Sequence, residues 1–180
     1  DQKHGPITTF RPKGGKESQG RYKWDLRDDE WRYWHPNGTL GKRVHYVEDK
    51  MHGLSEKWNP QGELVESGEY VMDKRTGRWF SVRQKTGMTV VDHWKDGVRD
   101  GDYVRTSPDE VILEEGKYRD GERVGMWIAR HAEGGGEASR GIYKNGKREG
   151  NWLFWGGGGG AGEERTGFYE ADERVGPKRL

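Results

Sequence analysis

Seven aromatic residues recur along the chain at nearly constant intervals: Tyr22, Tyr46, Tyr70, Trp94, Tyr118, Tyr143 and Tyr169. The spacings are 24, 24, 24, 24, 25 and 26 residues. A period of that size, held through most of the chain, means one small unit stacked many times, each copy unable to bury its apolar face alone. For 180 residues this replaces one or two globular domains with a single elongated array. It also bears on function, because repeat arrays present surfaces more readily than they enclose a catalytic pocket.

Only 29% of residues are hydrophobic and 35% are charged, so a thick two-sided core is not expected. Disordered chains of such polarity lack aromatics, whereas this one places 9 Trp, 8 Tyr and 4 Phe periodically. The expectation is a folded protein with a thin aromatic core. A formal charge of +1 gives no basic excess of the kind that marks nucleic-acid binding. Without cysteine there are no disulfides, zinc–thiolate sites or thiol chemistry. No apolar run approaches the roughly 20 residues of a membrane-spanning helix. A start at Asp1, without methionine or a signal-like stretch, favours a processed, exported or organelle-imported product over a cytoplasmic one.

Further columns appear when each repeat is numbered from its aromatic. Two residues earlier stand Gly20, Gly68, Gly116, Gly141 and Gly167, with Val44 and Asp92 as exceptions. Three later come Gly97, Gly121 and Gly146, or else Asp25, Asp49, Asp73 and Asp172. Seven later come Gly53, Gly77, Gly101, Gly125, Gly150 and Gly176, broken by Asp29. Nine later come Trp31, Trp79, Tyr103, Trp127 and Trp152, with Ser55 and Lys178 departing.

In the unit from Gly141 to Trp152, Asn145-Gly146 between extended arms is a strong hairpin signal, because a type I′ turn needs positive φ twice. That turn pairs Lys144 with Lys147, Tyr143 with Arg148 and Gly141 with Gly150. Alternation then gives one face of rings and glycine and another that is mostly charged. Opposed glycines would leave a flat gap for rings from neighbouring repeats. A second turn follows at His35-Pro36-Asn37-Gly38, Asn59-Pro60-Gln61-Gly62 and Ser107-Pro108-Asp109-Glu110, with Gln84–Gly87 a variant. Two strands and two turns per repeat predict an all-β antiparallel meander, a twisted single-layer sheet of about seven 24-residue units, with no helix. Residues 1–19 read as an N-terminal arm or cap, 20–176 as the array and 177–180 as a tail. The runs 134–136 and 156–160 fall at second turns and read as flexible loops.

The columns resemble MORN-type repeats, most closely the MORN-variant form of bacterial proteins, often labelled antitoxin-like. The pattern Gly-x-Tyr, Asn/Asp-Gly, Lys/Arg, Gly-x-Trp is met at Gly116-Lys-Tyr118 through Gly125-Met-Trp127 and at 141–152. Gly68-Glu-Tyr70 through Gly77-Arg-Trp79 fits apart from Asp73. The resemblance implies protein–protein contact, and in some relatives dimerisation or proximity to membranes and phosphoinositides.

Five residues after the aromatic stand Arg27, Arg75, Arg99, Arg123, Arg148 and Arg174, with Met51 in the remaining unit. Such a ladder is read first as structural, each stem packed on a ring with its head gaining about 0.5–1 kcal/mol of cation–π attraction. The functional alternative is an anionic groove, with Arg99, Arg123 and Arg148 as its candidates. His45 and His52 could share a neighbourhood, but a metal needs three or four convergent ligands, and no metal or cofactor is expected. No acid/base pair, nucleophile elbow or phosphate loop stands out. Trp24, Trp34, Trp58 and Trp155 lie beside the main columns and are candidate interaction residues, sheet coiling being the other explanation.

These readings converge on a non-catalytic scaffold, an accessory or structural subunit that lays its aromatic face or a terminal sheet edge against other protein subunits, those of a membrane-associated complex among the candidates, or against a second copy of itself. The rival is a peripheral module meeting anionic lipid through the ladder and through Arg11, Lys13 and Lys16. An enzyme acting on carbohydrate is the third, drawn only from the aromatics.

Overall fold

The computed structural model describes residues 2–156 and 166–177, and among them the chain is all-β with no helix. The glycines at 157–160 and the last three residues of the expected tail lie outside the described residues. The strands are β1 (Gly5–Phe10), β2 (Lys16–Lys23), β3 (Leu26–Trp34), β4 (Leu40–Val47), β5 (Lys50–Trp58), β6 (Leu64–Val71), β7 (Lys74–Arg83) and β8 (Met88–Lys95). They continue as β9 (Val98–Thr106), β10 (Ile112–Arg119), β11 (Glu122–Arg130), β12 (Glu137–Lys144), β13 (Lys147–Phe154), β14 (Gly167–Glu170) and β15 (Glu173–Gly176). They form one open antiparallel sheet in which spatial order is sequence order, the expected meander. Contacts gather into two units, Asp1–Val82 with Trp94–Gly97, and Arg83–His93 with Val98–Leu180.

The first turn of every repeat has two residues with positive φ. Asn145 and Gly146 stand at 51° and 76°, Asp120 and Gly121 at 50° and 84°, and Trp24 and Asp25 at 54° and 67°. These are the signs a type I′ turn requires, and Asp replaces Gly because a short polar side chain tolerates the left-handed region. Next to the turn the expected register holds: Lys144 faces Lys147 and Tyr143 faces Arg148. Tyr22 likewise faces Arg27, Tyr70 faces Arg75 and Tyr118 faces Arg123.

Farther from the turn the expected register does not hold. Ile142 pairs with Glu149 but Arg140 with Leu153, so Gly141 faces a wide bulge of Gly150, Asn151 and Trp152 instead of Gly150 alone. The same shift occurs in the units of Tyr22, Tyr70 and Tyr118. Its cause lies in two columns. The bulge needs a left-handed residue, supplied by Gly77, Gly125 and Gly150 at φ 65°, 66° and 71°, with Asp29 at 65° in their stead. It also folds the tryptophan back over the earlier glycine: a Cβ on Gly68, Gly116 or Gly141 would stand 2.2 Å from Trp79, Trp127 or Trp152. The ring on each glycine thus comes from the same repeat, where a neighbouring repeat was expected.

Tryptophan suits this place for a second reason. Its Nε1–H donates to the carbonyl just before the repeat aromatic: Trp31 to Arg21 O at 3.1 Å, Trp127 to Lys117 O at 3.1 Å and Trp152 to Ile142 O at 3.0 Å. Each of these carbonyls sits beside the bulge, and the indole gives it a donor. In the repeats of Tyr46 and Trp94 both members of the Gly–Trp pair change together. Val44 is 1% exposed opposite Ser55 at 2%, and buried Asp92 accompanies Tyr103. A larger residue fills the room a smaller one vacates.

In the first unit, Trp31, Val44 and Tyr46 are buried with Ile7, Tyr22, Tyr33 and Met51 packed around them. In the second, Val90, Tyr103, Trp127, Trp152, Phe154 and Tyr169 form the core, flanked by Tyr118 and Tyr143. Rings meet edge to face, as in Tyr22 with Trp31 at 5.0 Å and Tyr143 with Trp152 at 5.0 Å. Second turns close as expected, with Gly38 and Gly62 donating to His35 O and Asn59 O at 2.9 Å.

Residues 5–10, read from sequence within the arm or cap, form β1 and extend the ladder. Lys3, Gly5, Ile7, Phe10, Pro12 and Gly14 occupy the columns of Arg27, Asp29, Trp31, Trp34, Pro36 and Gly38, each 24 residues earlier. Lys3 even repeats the ladder's hydrogen bonds. Its N–H donates to Asp25 Oδ1 at 2.6 Å and its carbonyl accepts from Asp25 N at 2.9 Å, as Arg27 does with Asp49.

Candidate interaction surface

The arginine ladder lies on the ring face, and its heads are engaged. Although the backbones of Arg27, Arg75, Arg123 and Arg148 face the aromatics of their own repeats, the guanidinium groups lie on other rings. Arg27 covers Tyr46 of the next repeat at 4.0 Å, and Arg148 covers Tyr169 at 4.5 Å. Arg75 and Arg123 cover Trp79 and Trp127 of their own repeats at 4.1 Å each. Arg99 lies between Tyr103 and Tyr118, at 5.7 and 5.4 Å.

Each of these arginines also meets a carboxylate, and the third-position column selects which. Where the next repeat has Asp in its turn, that Asp takes the arginine: Arg27 with Asp49 at 2.8 Å and Arg148 with Asp172 at 3.2 Å. Where it has Gly, the acid comes from the arginine's own repeat. Arg75 meets Glu66 at 3.0 Å, Arg99 meets Asp92 at 2.8 Å and Arg123 meets Glu114 at 2.7 Å. Burial works against the charge of Arg27, but its hydrogen bond to Asp49 and the nearby tyrosines outweigh burial and raise its pKa. The Arg27 side chain, then its backbone N–H, hold Asp49 below the usual carboxylate range. For Asp172 the backbone N–H of Arg148 is the largest cause of the same lowering. Burial pushes Tyr46 up to about 12.

The four tryptophans singled out from sequence divide into two groups. Trp24 is a turn residue, 60% exposed and tilted against His4 at 4.7 Å. Trp34, Trp58 and Trp155 are half-buried and belong to one column, twelve residues after the aromatic, that also holds Phe10. The spacing of Phe10, Trp34 and Trp58 could have revealed it. Each indole lies beneath a cation: Lys16 on Trp34 at 5.3 Å, Arg43 on Trp58 at 5.9 Å and Arg140 on Trp155 at 5.6 Å.

Sequence reasoning missed the apolar content of the outer face, opposite the rings. There Leu26, Val47, Leu54 and Val71 are 38–48% exposed in the first unit. In the second, Val98 and Ile142 stand at 44% and 47%, and Met126 at 52%. Met126 and Ile142 are cross-strand partners, and one row away Ile128, Arg140 and Leu153 lie in register. Charge surrounds them, as in the Lys117–Asp102 pair at 3.2 Å. The expectation of a mostly charged face is therefore modified to an apolar strip within charged margins.

His45 and His52 do share a hollow, of about 540 Å³, with Arg21, Asp28 and Leu54. Among the described residues no group of three His, Asp or Glu side chains is placed to hold a metal. A second hollow, of about 510 Å³, joins His131, Glu133, Glu137 and Trp155. In comparisons with known proteins, no family model matches the chain and no curated protein matches it.

Proposed function

We propose that this protein is a MORN-like repeat scaffold that binds another protein, as an accessory or structural subunit, through its outer face. The observation that carries the reading is a division of labour between faces. Rings and arginines on one face are consumed by packing and ion pairs, while Met126 and Ile142 on the other stand half in water as a cross-strand pair. Apolar side chains within a charged rim match the anatomy of a protein interface. Ion pairing of the ladder to Asp49, Glu66, Asp92, Glu114 and Asp172 supports protein contact over anionic lipid, because its charge is compensated locally.

Mild affinity purification from the native source, followed by mass spectrometry, tests this reading. A partner retained by the parent chain and lost from a Met126→Glu, Ile142→Glu variant with unchanged melting is expected. Recovery of the parent chain as a lone monomer contradicts it. Vesicle co-sedimentation that rises with anionic lipid and falls with salt would favour the lipid reading instead.

A further inference from the structure

The ring face carries the same cation–carboxylate–cation bridge in both units. Lys57 and Arg75 share Glu66 at 2.6 and 3.0 Å, and two repeats later Arg105 and Arg123 share Glu114 at 3.3 and 2.7 Å. Each bridge spans three consecutive strands, β5 to β7 and β9 to β11. The two differ in the residue one strand before the first cation. In the second unit that column holds Val90, 4% exposed within the core. In the first it holds Lys42 on β4, directly opposite Lys57.

Like charges opposite one another weaken a sheet, and Lys42 is half-buried besides. Among the described residues it has no ion pair. Glu66 engages Lys57 through one oxygen and Arg75 through the other, and Asp49 is held by Arg27. Tyr33 faces Lys42 from β3 and brings a hydroxyl in place of a charge. Burial, then repulsion from Lys57, lower the Lys42 pKa below the usual lysine range; Glu66 opposes this and Arg27 adds to it. The first unit thus carries an uncompensated positive charge where the second has valine.

We infer that Lys42 anchors a carboxylate site on the ring face, which receives an Asp or Glu side chain from a partner polypeptide. Charge complementarity names the occupant. A carboxylate set over Lys42 and Lys57 joins the two from above the sheet, as Glu66 joins Lys57 to Arg75 within it. One negative charge suffices, because Lys57, Arg75 and Arg27 already meet carboxylates, and this favours a carboxylate over a phosphate dianion. The site stands apart from the arginine ladder and is the exception on a face otherwise given to packing. The inference rests on the protein-binding reading and adds a charged contact to it.

A blocked tetraglutamate peptide is the probe, added to the intact chain while the lysine Cε–Hε resonances are followed by NMR. A tetraglutamine peptide and inorganic phosphate serve as comparisons. The Lys42 resonance, assigned by its absence from Lys42→Gln, should move saturably with tetraglutamate and stay in place with tetraglutamine. Binding to Lys42→Gln should be weaker by roughly tenfold or more. Lys42→Val, which matches the second unit, should melt higher than the parent chain and lose the peptide. No saturable movement at Lys42, equal movement at the exposed Lys13 and Lys23, saturation by phosphate at lower concentration than by peptide, or a Lys42→Val variant that melts lower would overturn the inference. Partner capture through Met126 and Ile142 is read out separately, so the outer-face reading can stand or fall without this one.

Discussion

At the residue scale, glycine does two different jobs that a sequence column cannot separate. Gly68 and Gly116 are needed for space, since an added Cβ would meet an indole at 2.2 Å. Gly77 and Gly125 have open surroundings but positive φ. Gly116→Ala is expected to destabilise by about 1–3 kcal/mol or more through overpacking, and Gly125→Ala by about 1–2 kcal/mol through backbone strain. Urea unfolding of both variants measures the two costs. Only the first should be relieved by Trp127→Ala in the same chain. The turn aspartates give a pH signature. Asp49 and Asp172 have folded pKa values below their unfolded ones, so their stabilisation is complete above the ordinary carboxylate range near about 3.9. It is lost as pH falls through the folded values. Melting followed from pH 6 down to pH 2 should therefore show acid destabilisation, diminished in an Asp49→Asn, Asp172→Asn variant.

At the element scale, each hairpin was legible where its determinants are local. Asn145-Gly146 and its counterparts specify the turn, and the turn specifies the Tyr–Arg pairing beside it. The bulge was not legible, because glycines at positions 141 and 150 suit a regular ladder as well as a broken one. What decides between them is the non-local fit of Trp152 over Gly141 and its bond to Ile142 O. β1 was hidden for a related reason: the tryptophan column holds Ile7 there. The exceptions at Val44 and Ser55 test the fit directly. Val44→Gly leaves a void and Ser55→Trp overpacks, while the double substitution rebuilds the common pair. A double-mutant cycle should give a coupling of about 1–3 kcal/mol in favour of the double variant; additive losses would show that the two positions do not share the space.

At the scale of the whole molecule, the repeat leaves one face structural and the other available. Sequence reached the ladder and its duty, because period and column identify Arg99, Arg123 and Arg148 together. It did not reach their carboxylate partners, which come from the next repeat's turn or from the arginine's own repeat according to whether that turn carries Asp or Gly. Nor did it reach the outer strip, because Met126 and Ile142 fall in columns of mixed character, where Arg78 and Lys117 stand beside Leu54. The central claim is that the ladder serves the fold and leaves recognition to other surfaces. Its most direct test is one chain carrying Arg99→Gln, Arg123→Gln and Arg148→Gln, assayed for melting and for partner capture below its transition. The predicted result is a stability loss of about 1.5–3 kcal/mol, from about 0.5–1 kcal/mol for each arginine removed from its rings, with the captured partner retained. Unchanged melting with the partner lost would contradict it.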